Sequence, residues 1–106
     1  MITRDQLLAQ RTPKIEAVPA PELGDGATLG IRALSISEVN RLDKETKKNP
    51  EMGHVPMLTM CCCTDGGEPL FTAEDTAVID ALPISLVLRV IAAYRRINGG
   101  EDAEKN

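Results

Sequence analysis

The apolar and polar positions of the chain fall into segments of distinct period. Residues 27–34 alternate: Leu29, Ile31 and Ala33 share one face, with Thr28 and Arg32 on the other. That period of two predicts a half-buried strand. Residues 14–18 are also strand-like, but Pro19 and Pro21 follow and confine them to a sheet edge. The Leu23-Gly24-Asp25-Gly26 turn signal lies between, so the two segments predict a hairpin. An isolated hairpin is barely stable and needs helices against it.

Helical signals flank the hairpin. Residues 3–10 predict a short helix, with Thr3 as N-cap, Gln6 in the capping-box position and Pro13 as its stop. Ser35-Ile36-Ser37-Glu38 is a capping box and predicts a helix over 36–47 with a thin apolar stripe of Ile36, Val39 and Leu42. A loop over 48–53 follows, and Pro56 then suits the first turn of the next helix. Residues 55–63 are apolar on nearly every side, which predicts a central, buried segment. Asp65-Gly66-Gly67 turns the chain, and residues 68–71 are extended. Thr72, Glu74 and Asp75 open a helix with Val78, Ile79 and Leu82 as its apolar face. Pro83 ends it and starts the last helix, over 83–97, which closes on Arg95, Arg96 and Asn98-Gly99. The expected fold is α+β, mainly α: a short N-terminal helix and a β-hairpin, then about four helices in a small bundle. Residues 1–98 form the expected single domain, and 99–106 a polar, disordered tail.

The last helix is over-apolar. Ile84, Leu86, Val87, Leu88, Val90, Ile91, Ala92, Ala93 and Ile97 exceed one face, against Ser85, Arg89, Arg95 and Arg96. A surface helix needs about a third of its circumference apolar. Either the helix is wholly internal or its spare face binds something. In 106 residues a wholly internal helix is hard to arrange, so we assign a partner or self-association surface.

Composition narrows the chemistry. One Tyr, one Phe and no Trp leave no stacking platform for single-stranded nucleic acid, and a net charge of −4 gives no basic face for phosphates. We therefore expect no nucleic-acid partner. The opening MITRDQLLAQ has no apolar run, so no signal peptide is expected. Pro83 and Arg89 interrupt the longest apolar stretch, so no membrane partner is expected; three adjacent cysteines make no secreted disulfide framework, so the cytoplasm is the expected compartment. Cys61, Cys62 and Cys63 are adjacent. On a helix such neighbours point about 100° apart and cannot converge on one tetrahedral metal. They are expected to pack as small buried hydrophobes. His54 is expected in an exposed loop. Neither it nor the acidic residues at helix starts make a nucleophile or acid–base pair. No enzyme activity, metal or cofactor is expected.

The order of motifs resembles the tail assembly chaperones of long-tailed phages and prophages. The matching pieces are TRDQLLAQRTPKIEAV, PELGDGATLGIRALSISEVNRLDKE, CCCTDGGEPLFTAEDTAVIDALP and the helix ending AAYRRINGG. Together they span roughly residues 3–99. Asn49-Pro50, Pro56 and the Cys triplet depart from the pattern. The resemblance implies a protein of the host cytoplasm that binds the tape measure protein and keeps it soluble. It also implies recruitment of tail tube subunits and absence from the mature virion. The alternative is a virion structural protein of the tail or head–tail connector. Joined to the over-apolar helix, the resemblance makes Val87, Val90, Ile91 and Tyr94 the expected contact residues.

Overall fold

Capping chemistry starts the helices where the sequence places it. The Thr3 hydroxyl accepts from the Gln6 N–H at 3.2 Å, and the Gln6 carbonyl oxygen accepts from the Thr3 N–H at 2.9 Å. Ser35 and Glu38 exchange the same pair of bonds at 3.2 and 3.0 Å. In the computed structural model, residues 1–9 and 14–99 are described. The expected stop at Pro13 and the polar tail over 100–106 lie outside them.

The elements are α1 (Arg4–Ala9), β1 (Ile15–Pro19), β2 (Thr28–Arg32), α2 (Ile36–Lys48), α3 (Val55–Cys61), β3 (Cys62–Cys63), α4 (Thr76–Asp80) and α5 (Ile84–Asn98). Single 3-10 turns at Pro21–Leu23, Pro50–Met52 and Ala73–Asp75 join them. The fold is α+β and mainly α. β1 and β2 form the antiparallel hairpin, with Ala17 opposite Gly30, and β1 is an edge as its prolines require. α5 packs across β1 and β2, while α3 packs against β2, α2 and α4. The core between these layers is aliphatic, with Val18, Ile31, Ile79, Leu86 and Val90 fully buried. Each such side chain contributes about 1.5–3 kcal/mol.

Two segments differ from expectation. The apolar run over 55–63 is helical only to Cys61. Cys62 then turns extended (φ −74°, ψ 127°), and Cys62 and Cys63 pair with Ile31 and Gly30. The far edge of β2 would otherwise leave buried N–H and C=O groups unpaired, so tertiary pairing overrides continuation of the helix. The Leu70 N–H adds a bond to the Cys62 carbonyl at 3.1 Å. The second difference is in the apolar stripes of the polar helices. Only Leu42 of the α2 stripe is buried, and Ile36 is 83% exposed. Likewise only Ile79 is buried in α4, which starts as a 3-10 turn capped by Thr72.

All three cysteines are free and buried. The Cys61 thiol lies 3.4 Å from the Met57 sulfur. Its neighbour Cys62 and burial push its pKa up, and burial does the same to Cys63. Thiolates are the reactive species. Iodoacetamide should therefore label the native protein roughly 100-fold or more slowly than the urea-unfolded chain, because access needs local or global opening. Mass spectrometry over a time course checks this.

Candidate functional site

α5 has three faces, and the hairpin decides which of them meets water. Leu86, Val87, Val90 and Ala93 face the core. Ser85, Arg89 and Arg96 recur at i, i+4 and i+11 on a second face, and this face is occupied. The Ser85 hydroxyl donates to Glu22 at 2.5 Å. Arg89 makes two bonds to the Glu22 carboxylate, at 3.0 and 3.1 Å, and one to the Pro19 carbonyl at 2.8 Å. Arg96 pairs with Glu16 at 2.5 Å. The polar stripe of α5 therefore fastens the helix to β1 and to the turn after it.

What remains outward is the third face, Ile84, Leu88, Ile91 and Arg95, at i, i+4, i+7 and i+11. Ile84 and Leu88 are 69% and 58% exposed. Ile91 is half-buried because it lines a groove of about 390 Å³ between α2, α3 and α5. Leu42, Met57, Ile91 and Tyr94 give the groove its apolar walls; Thr46, His54 and Arg95 stand at its polar positions. Burial raises the pKa of Tyr94, the single tyrosine. The closing Asn98 ties the end of α5 to the entry of α2. Its side-chain oxygen accepts from the Leu34 N–H at 2.9 Å, and its amide donates to the Tyr94 carbonyl at 3.1 Å. Gly99 follows at φ 73°, a left-handed cap that suits glycine.

The four expected contact residues thus divide. Val87 and Val90 are 9% and 1% exposed and lie beneath the helix, whereas Ile91 and Tyr94 reach the groove. Ile84 and Leu88 were not among the four, although they are the more exposed. The signal for them was the alignment of Ser85, Arg89 and Arg96 with the acidic Glu16 and Glu22 of the hairpin. Elsewhere, His54 is exposed and makes no cap bond to α3. Among the described residues no group of three His, Cys, Asp or Glu side chains is placed to hold a metal. No helix among them is long and apolar enough to cross a membrane.

The ion pairs that orient α5 and α2 carry a pH signature. Arg89 and then Ser85 lower the Glu22 pKa to about 2, Arg32 lowers that of Glu38 to about 2, and Arg96 lowers that of Glu16. A depressed carboxylate contributes stability above its unfolded pKa and loses it as pH falls through the folded value. The urea midpoint should therefore hold from pH 7 to about 5 and decline between about 4.5 and 2. Glu22→Gln should flatten part of that decline, measured by urea titration at each pH.

No protein-family model matches the sequence, and no curated protein matches it. Among solved structures, the fold is similar to that of the bacteriophage HK97 tail assembly chaperone. The match has a TM-score of 0.63 at 18% identity and covers 89% of this chain and 92% of that one.

Proposed function

We propose that this protein is a tail assembly chaperone of a phage or prophage, acting without catalysis in the host cytoplasm. The fold shared with the HK97 chaperone over nearly the full length of both chains carries this reading. The outward apolar face of α5 and its adjoining groove supply a mechanism. A tape measure protein is long and helical and exposes apolar faces until the tail tube encloses it. Ile84, Leu88, Ile91 and Tyr94 offer such a face an aliphatic surface, with Val87 and Val90 fixing the helix from below. Each contact need only be weak, because many copies on one long chain supply avidity. The net charge of −4 keeps the coated chain soluble. The coated chain then recruits tail tube subunits, and the chaperone leaves before the virion is complete.

The test is co-expression with the tape measure protein of the same tail gene cluster. The wild-type protein should keep it soluble and co-purify with it. Leu88→Asp should fold normally and lose capture by about tenfold, the cost of a charge at a desolvated contact. A wild-type protein that leaves the tape measure insoluble and unbound sinks this function. Its recovery as a stoichiometric component of purified virions would instead make it a structural protein.

A further inference from the structure

The outward stripe of α5 does not end as it begins. Ile84, Leu88 and Ile91 are apolar, and the next residue in the row is Arg95, which is exposed. The fates of the helix's arginines differ. Arg89 is held by Glu22 and Pro19, and Arg96 by Glu16. Arg95 has no hydrogen bond or ion pair among the described residues. The Tyr94 hydroxyl beside it is likewise without a bonded partner in the described chain. Both residues line the groove, as does His54. A chain of net charge −4 thus sets, at one end of an apolar row, a cation and a hydroxyl that have no partner among the described residues.

Resting on the reading above, we propose that the occupant is an amphipathic helix of about three turns that carries an Asp or Glu opposite Arg95. Its length follows from the row: residues 84 to 95 span about 16 Å at the helical rise. Its apolar face follows from the i, i+4, i+7 spacing, which matches the stripe of a partner helix. Its acidic residue follows from charge complementarity, because an apolar residue there would desolvate an arginine without replacing its water. The acid also fixes direction: it sits at the end of the occupant that meets the C-terminus of α5, and apolar anchors run from it toward Ile84. One anchor adjacent to the acid enters the groove between Leu42, Met57 and Tyr94.

The experiment uses overlapping fluorescent peptides from the tape measure protein, titrated against the full-length chain by polarisation. Binding peptides should carry an Asp or Glu one helical turn from an apolar anchor. Arg95→Glu should weaken them about tenfold and Arg95→Gln by less, with circular dichroism unchanged. Replacing the peptide acid with Lys should restore binding to Arg95→Glu. Wild-type affinity in Arg95→Glu, or binding peptides with no acid at that spacing, overturns the proposal. So does binding of the whole tape measure protein with no binding of any peptide, and that result leaves the chaperone reading standing. Failure of the whole protein to bind overturns both.

Discussion

Val90→Asp should leave the protein unfolded at 25 °C, whereas Leu88→Asp, two positions earlier, should fold with near wild-type stability. The two residues are both branched aliphatics on α5 and differ little in sequence context. Their exposures are 1% and 58%. At position 90 a carboxylate would sit among Val18, Ile31 and Leu86 with no partner, since no polar or charged residue is buried among the described residues. An uncompensated buried charge costs several kcal/mol on top of the lost apolar contact. A domain of this size has on the order of 5–10 kcal/mol in total. At position 88 the same change meets water, where substitutions stay within about 0.5 kcal/mol. Circular dichroism and urea unfolding of both variants check the pair. A folded Val90→Asp of ordinary stability would mean that α5 presents a different face to the sheet.

That contrast also shows which parts of the molecule are legible in the sequence. The caps are local: Thr3 with Gln6, Ser35 with Glu38, and Gly99 with Arg95 each act within four residues, so their chemistry can be read from spacing alone. The facing of α5 is not local. Its apolar excess is visible at once, but which apolar row is spare depends on where the polar row goes. The polar row goes to Glu16 and Glu22, more than sixty residues away. Composition and spacing within α5 show no difference between the row of Val87 and Val90 and the row of Ile84 and Leu88, so the sequence alone does not say which of them the hairpin covers. Ile91 and Tyr94 border both the core and the groove. The strand β3 is harder still. Two residues have no period, and Cys62-Cys63 continues an apolar helix in every local respect. Only the unsatisfied edge of β2 makes it a strand.

Gly30→Val should destabilise the protein by more than about 3 kcal/mol, and Gly30→Ala by about 1–3 kcal/mol, the usual range for overpacking. Propensity alone argues the other way, since alanine is favoured over glycine within a regular element by roughly 0.5–1 kcal/mol. Packing decides the sign. Gly30 lies in the middle strand, between Ala17 of β1 and Cys63 of β3. A Cβ there would stand 3.0 Å from the Cys63 carbonyl oxygen, 3.0 Å from the Cys63 sulfur and 3.0 Å from the Ile15 Cγ2. Of these only the two side chains can yield; the carbonyl belongs to the strand backbone. Cys63→Ala should therefore rescue Gly30→Ala in part and Gly30→Val hardly at all. Gly66→Ala is the control, because its added carbon meets nothing nearer than the Thr64 hydroxyl at 3.8 Å. Urea unfolding of the set, as a double-mutant cycle, reads the coupling directly. A Gly30→Ala protein as stable as wild type would mean that β3 is not held this close to β2. The consequence would reach the binding surface, because β3 continues straight from α3, and α3 carries Met57 into the groove beside Ile91 and Tyr94.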